Sequence, residues 1–362
     1  MLFKELHKGI DSLYVSYKGE LKEIMLNELE HKWQLAQSAD LGERAKGVLQ
    51  VLEHRFCMER IGRKHYHFIL KDNWMQIEVS KHIGFPTLYI QLRSEFLNVK
   101  GIEYAKAHVR NIAEQFIEGM PDETVSRVDI FVDFISDMDF GKIQDEDWIT
   151  RNLVQKNISG GVCCGWDIGR RSELSMRLYD KTAEIKIEQD YFKEFWRKAG
   201  WVEGQKVWRA EFQLRREPLK QFSIHSVCDL IKFINDIWQH CTNKWLRLSV
   251  PNGTINRTRL KTNPWWVEIQ NVRFGDGKFT GVCQKPRKDR MPEEKRIYPQ
   301  MLGYLCSHLA CNGQSDINPN TMPHLIRKLE EFFSKRHFEG QGSFNKMIKT
   351  KIAEKKRQYN IK

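Results

Sequence analysis

Residues 127–134 constrain the fold more than any other stretch of the chain. Arg127, Val128, Asp129, Ile130, Phe131, Val132, Asp133 and Phe134 place an apolar side chain at every second position, and period two is the spacing of a half-buried β-strand. Val128, Ile130, Val132 and Phe134 then share one face, and Arg127, Asp129, Phe131 and Asp133 share the other. Val207 to Arg215 repeats the pattern, with Trp208, Ala210, Phe212 and Leu214 opposed to Arg209, Glu211, Gln213 and Arg215. A third such segment is Ser175 to Tyr179, on which Arg177 and Tyr179 share a face that Lys181 joins if the strand runs that far.

Between these strands the period changes. Ile10 to Tyr17 alternates as a strand, whereas Leu21 to Leu35 and Ile102 to Ile117 have helical spacing. Tyr66–Leu70, Trp74–Val79 and Thr87–Leu92 are short β-type runs separated by turn residues, as in an antiparallel meander. Ser159-Gly160-Gly161 through Gly169 is too irregular for a phosphate-binding loop and is assigned to a turn. A helix is expected from Thr182 to Lys198, Pro218 closes the strand that starts at Val207, and further helices follow at 227–248, 298–311, 322–335 and 344–358. Strands and helices in this irregular order predict an α+β fold, a central antiparallel sheet backed by helices, rather than regular βαβ winding. Residues 1–220 form the α+β domain in this reading, 221–280 a tryptophan-containing extension, and 281–362 a basic helical region.

The chain of 362 residues is 41% hydrophobic with only 10 prolines, enough to bury a core and too apolar for a disordered or low-complexity class. No apolar run approaches the ~20 residues of a membrane span, and charges among residues 1–12 leave no leader-like segment; the expectation is a cytoplasmic protein. The eight cysteines have no CxxC pair and read as reduced thiols. Net charge is +12. Residues 1–250 are charge-balanced, and the whole surplus lies beyond them. A basic segment on a neutral body favours nucleic acid, because phosphate neutralisation releases counterions; the alternative is a solvated basic tail.

The charged strand faces carry the candidate chemistry. Asp129 and Asp133 are ~13 Å apart along an ideal strand at ~3.3 Å per residue, too far to share an ion with ligands at ~2 Å. One of them suits a metal; the plain alternative is the wet side of a strand. Glu211 beside Arg209 suits a site that holds both a cation and a phosphate, or a surface ion pair. Tyr179 can attack a phosphodiester where Arg177 and Lys181 stabilise the charge on the phosphoryl oxygens, although a strand tyrosine is more often packing. His65-Tyr66-His67 puts two imidazoles on one strand face, which is a metal-binding arrangement or a coincidence of surface composition. Walker and Gly-x-Ser-x-Gly motifs are absent from the sequence.

In order, Ser126-Arg-Val-Asp-Ile-Phe-Val-Asp-Phe134, Met176-Arg-Leu-Tyr-Asp-Lys-Thr-Ala-Glu184 and Trp208-Arg-Ala-Glu-Phe-Gln-Leu-Arg-Arg216 resemble the replication initiation factor family. That family comprises rolling-circle initiators of plasmids and filamentous phages and some relaxases. The resemblance covers about residues 60–220. It implies the antiparallel nicking-endonuclease fold, Tyr179 as the nucleophile that takes the 5′ phosphate, and Asp129 and Glu211 as positions for a divalent metal, Mg or Mn, with Asp133 in reserve. Arg177, Lys181 and Arg209 would neutralise phosphate.

The implied activity is nicking and rejoining of origin DNA to start rolling-circle replication. Its partners would be double-stranded origin DNA and single-stranded DNA, with a host helicase and a second copy of the chain as further candidates and no membrane. Arg209, Arg215, Arg257 and Arg259 are the expected DNA contacts, and Trp265 and Trp266 either stack on bases or, more in keeping with their type, join the core. The rival functions are a conjugative relaxase with the same chemistry and a non-catalytic DNA-binding regulator on the same fold.

Overall fold

The computed structural model describes residues 3–82, 84–185, 190–251, 259–275, 294–335 and 344–359. The chain divides into two compact units, Met1–Gln284 and Lys285–Lys362. Segment 221–275 belongs to the first unit because Trp238, Trp265, Trp266 and Ile269 supply its hydrophobic core.

In the first unit β1 (Phe3–Lys18) precedes α1 (Glu23–Gln37) and α2 (Leu41–Ala45). Five short strands follow: β2 (Val48–Val51), β3 (His54–Met58), β4 (Phe68–Lys71), β5 (Met75–Val79) and β6 (Leu88–Leu92). Helices α3 (Ser94–Lys100) and α4 (Ile102–Phe116) lead into β7 (Asp122–Ser136), β8 (Trp148–Ile149), β9 (Val154–Ser159), β10 (Val162–Ile168) and β11 (Leu174–Asp180). After α5 (Lys181–Glu184) and α6 (Tyr191–Lys198) come β12 (Trp208–Arg215), α7 (Arg216–Gln221), α8 (Val227–His240), β13 (Arg247–Leu248) and α9 (Pro264–Asn271). Eleven strands make one sheet in the order β2-β3-β4-β5-β6-β1-β7-β12-β11-β10-β9, antiparallel at every pairing. The protein is therefore α+β, with a large antiparallel sheet backed by helices.

The alternation of the strands decides which face is covered. Val128, Ile130, Val132, Phe134, Ala210, Phe212, Leu214, Met176 and Leu178 join α1, α4, α8 and α9 in one continuous core; each large apolar side chain so buried contributes ~1.5–3 kcal/mol. On the opposite face a smaller cluster of Phe131, Ile135, Leu6, Phe192, Trp196, Trp201 and Val207 lies under α6. The rest of that face is polar.

Several sequence expectations are corrected. The glycine-rich stretch is the β9–β10 hairpin, with Gly160 and Gly161 at φ 56° and 80° in its turn. Pro218 lies inside α7, where proline in the first turn costs no backbone hydrogen bond. The helix expected over 182–198 is two pieces, α5 and α6, separated by residues outside the described set. The helix expected over 227–248 stops being α-helical after His240, and its last residues pair as β13 with β8. Residues 48–58, unassigned in the sequence, form the β2–β3 hairpin.

The second unit contributes α10 (Glu294–Cys311), α11 (Thr321–Lys335) and α12 (Phe344–Tyr359). Among the described residues no helix is long and apolar enough to cross a membrane.

Candidate active site on the polar face of the sheet

Strands β7, β12 and β11 are neighbours in that order, and their register brings the charged positions together. Arg209 is opposite Asp133 and Tyr179, Glu211 is opposite Phe131 and Arg177, and Gln213 is opposite Asp129 and Ser175. Because residue parity is matched across all three strands, the polar halves of three separate motifs become one surface.

Tyr179 is at its centre. Its hydroxyl donates to Glu211 Oε2 at 3.0 Å, and the Arg177 guanidinium lies 4.3 Å from its ring centroid, within cation–π range. Arg177 is held by Glu184, to which its Nη2 donates at 2.8 Å. The strand ends at Asp180, whose side chain caps α5 by accepting the Ala183 N–H at 3.1 Å. Lys181 is thus a helical residue rather than a continuation of the strand face. Its ammonium still comes 5.7 Å from the Tyr179 ring and donates to Glu184 Oε2 at 3.0 Å.

Asp129 lies diagonally from Glu211 and takes both of its oxygens to Arg127, at 2.9 and 2.5 Å. A third carboxylate, Asp11, was not singled out from the sequence. β1 slips register against β7 between Ile10 and Ser12, leaving Asp11 as the extra residue of a β-bulge, a device that re-aims a side chain. Asp11 Oδ1 accepts from Arg209 Nη1 at 2.6 Å and from Ser94 Oγ at 2.9 Å. The one available signal was the adjacent polar pair Asp11-Ser12, which breaks the alternation of Ile10 to Tyr17.

The electrostatics follow from burial. Glu211 is pushed up to about 7 by desolvation and then by the charges of Asp11 and Asp129, against the pull of Arg209 and Arg177. Desolvation, with Asp11, also raises Asp129, while Arg127 opposes it. Tyr179 is held well above its usual value, first by burial and then by Glu211. The phenol is therefore neutral and aimed at a carboxylate that accepts a proton near neutral pH.

Other expected residues lie elsewhere. Asp133 is fully buried, with its oxygens engaged by Arg209 Nε at 2.6 Å, Arg209 Nη2 at 2.9 Å and the Trp196 indole at 3.0 Å; a carboxylate so occupied is a charge partner, not a reserve metal ligand. Arg209, also fully buried, has its guanidinium 3.8 Å from the Phe131 ring centroid and 4.4 Å from that of Phe192. It braces the site from below and is not a surface contact for DNA. Arg215 and Arg259 are exposed, and Arg257 lies outside the described residues. Trp265 and Trp266 are fully buried and belong to the core. His65 and His67 are in the loop before β4, not on a strand face; His65 stacks on Phe85 at 3.8 Å and His67 lies 6.1 Å from Trp33.

Asp129 and Glu211, with Asp11 beside them, offer only oxygen donors, the set preferred by Mg²⁺ and Mn²⁺. Desolvation raises Asp129 and Glu211 first, and Asp11 adds to both; an ion on this face would have to displace Arg127, which holds both oxygens of Asp129.

No protein-family model matches the chain, and no curated protein matches it. Among solved structures, it is similar to the rolling circle replication initiator protein from Geobacillus stearothermophilus, with 12% identity and a TM-score of 0.42 over 79% of this chain and 100% of that one.

Proposed function

We propose that the protein nicks and rejoins DNA through a covalent 5′-phosphotyrosine on Tyr179, as a rolling-circle replication initiator does. The observation that carries this reading is the hydrogen bond from the Tyr179 hydroxyl to Glu211, 3.0 Å long, under the Arg177 guanidinium. The three motifs that resemble the replication initiation factor family supply those residues.

Tyr179 Oη forms the bond to phosphorus, its proton passes to Glu211 Oε2, and the bond from phosphorus to the 3′ oxygen breaks as that oxygen takes a proton from water and leaves as a 3′ hydroxyl. Arg177 faces the ring from the solvent side, where a phosphodiester would approach, and offsets charge on the phosphoryl oxygens. Lys181 holds Glu184, and Glu184 in turn fixes the guanidinium of Arg177. Asp129 and Glu211 would hold a divalent ion, Mg²⁺ or Mn²⁺, which when bound supplies Lewis-acid polarisation of the scissile phosphate. Since the phosphotyrosine conserves the energy of the phosphodiester, the same residues running in reverse rejoin the strand without a nucleotide cofactor. The basic second unit and exposed Arg215 and Arg259 are the surfaces on which DNA would be held.

The test is incubation with supercoiled and single-stranded DNA bearing the cognate origin plus Mg²⁺ or Mn²⁺, followed by denaturing electrophoresis and mass spectrometry. A nucleotide adduct on Tyr179 that Tyr179→Phe abolishes is the expected result. Retarded DNA with no adduct on any tyrosine in either metal would replace the enzyme with a binding-only regulator.

A further inference from the structure

A second cluster of metal-ligating side chains is built from β3, α4 and the turns beside them. His54 and His108 are both buried, yet their Nε2 atoms face each other at 2.6 Å. Glu53, one residue before His54 and 60% exposed, brings Oε1 within 3.5 Å of the His108 ring nitrogen Nδ1. One ligand atom from each of Glu53, His54 and His108 lies within 4.8 Å of the other two.

The surroundings orient this cluster. Asp72 accepts the Nδ1–H of His54, and its other oxygen accepts the backbone N–H groups of Trp74 at 2.8 Å and Met75 at 2.7 Å. The carboxylate is thereby fixed by the β4–β5 turn and orients the His54 ring, whose Nε2 is directed at His108. A carboxylate behind an imidazole is the usual outer partner of a metal-binding histidine. Phe56 and Trp74 flank the His54 ring, with centroids 5.4 and 6.1 Å away, while Phe96 and Tyr104 flank His108 at 5.6 and 5.4 Å. These walls leave the Glu53 side as the route to solvent. Glu53 itself follows Leu52, which holds φ 51°, a conformation a branched aliphatic residue adopts only under constraint.

The two facing nitrogens share a single hydrogen bond, and the other ring nitrogen of His108 faces the Glu53 carboxylate. An ion would use both Nε2 lone pairs, and the exposed Glu53 side chain would turn to it from the Nδ1 edge of His108, where its carboxylate now lies. Two bonds of about 2.1 Å at a tetrahedral angle place the nitrogens about 3.4 Å apart, so the rings need to separate by less than ~1 Å. We propose that Glu53, His54 and His108 bind a divalent transition ion of the zinc class, with Asp72 as the orienting carboxylate and the fourth position open to water. Two imidazoles and one carboxylate select Zn²⁺ or Co²⁺ over the hard cations suited to the Tyr179 face. Because β2 and β3 are the outermost strands on their side of the sheet, an ion here fastens that edge to α4.

The experiment is titration of the chelator-treated full chain with Co²⁺, read by the visible absorption that tetrahedral cobalt develops, and then competition with Zn²⁺. One equivalent of Co²⁺ with that absorption, displaced by Zn²⁺, is expected in the natural sequence and equally in Glu211→Gln. His108→Gln should lose it, and Asp72→Asn should weaken it about 10–100-fold. Glu53→Gln alters an exposed side chain that the fold does not need, and it should also weaken binding; it keeps the proposal testable if the histidine variant does not fold. Absence of the band in the natural sequence would reduce the pair to an imidazole–imidazole hydrogen bond and overturn the proposal, as would a band that survives both His108→Gln and Glu53→Gln or disappears in Glu211→Gln.

Discussion

Arg209 is the residue on which the polar face depends most. Its charge is buried and matched by Asp133 and Asp11, and removing one partner of such a pair leaves the other ionised and unsolvated. Arg209→Met is expected to destabilise by about 3–5 kcal/mol, measured by urea unfolding, and Arg209→Lys by a comparable amount because a point charge cannot make the two-pronged bond to Asp133. The double variant Arg209→Met, Asp133→Leu should recover much of that loss; no recovery would mean that the pair does more than neutralise charge. His7 gives a pH-dependent counterpart. It stacks on Phe195 at 4.4 Å and bonds to Asn98 at 2.8 Å, and desolvation holds it below its usual 6.5 although the Asn98 bond and Asp133 oppose this. A depressed imidazole contributes stability that is complete above the unfolded value and is lost as pH falls through 6.5 toward the folded one. Between pH 7 and pH 5 the His7 contribution therefore lowers the unfolding temperature, while the raised Glu211 carboxyl acts in the opposite direction, so His7→Gln should lose less unfolding temperature on acidification than the natural chain. An unchanged slope would remove His7 from the explanation.

The β10–β11 pairing positions the nucleophile at the level of elements. Gly165 is opposite Tyr179, and a Cβ there would overlap the Leu178 carbonyl oxygen and lie 3.0 Å from the Tyr179 Cα. The contact is with backbone, which cannot rotate away. Gly165→Ala is accordingly expected to push β11 outward, lengthen the bond from Tyr179 to Glu211 and reduce adduct formation at least tenfold, since small misplacements of a reacting group are costly; the yield of nicked DNA at matched folding, checked by circular dichroism, measures it. The β1 bulge is the other such device, because without it Asp11 would not be the residue turned toward Arg209.

For the whole molecule, the charge distribution makes the last testable point. The lysine-rich helix α12 belongs to the second unit, whereas the Tyr179 face is entirely within the first. Truncation after residue 343 should lower DNA affinity and reduce the slope of log affinity against log salt by ~0.9 for each duplex phosphate that is no longer neutralised, while an oligonucleotide short enough to occupy only the Tyr179 face is still nicked. A slope that does not change would make α12 a solvated helix.

Sequence by itself determined the strands that matter and the face each residue takes. The alternation in 127–134 and 207–215 encodes β7 and β12, and parity alone places Asp129, Glu211, Arg177 and Tyr179 on polar faces, because side-chain direction in a strand is a local property. Register, however, joins residues 11, 129, 179 and 211 across pairings of long sequence separation that no local pattern records. Only the tertiary structure decided that Asp133 is spent on Arg209, that Lys181 reaches Tyr179 from a helix, that Asp11 enters through a bulge, and that His54 and His108 meet from a hairpin and a helix. The glycine-rich β9–β10 hairpin was illegible for a related reason: its strands are weakly patterned, and pairing with β11 rather than their own composition makes them strands.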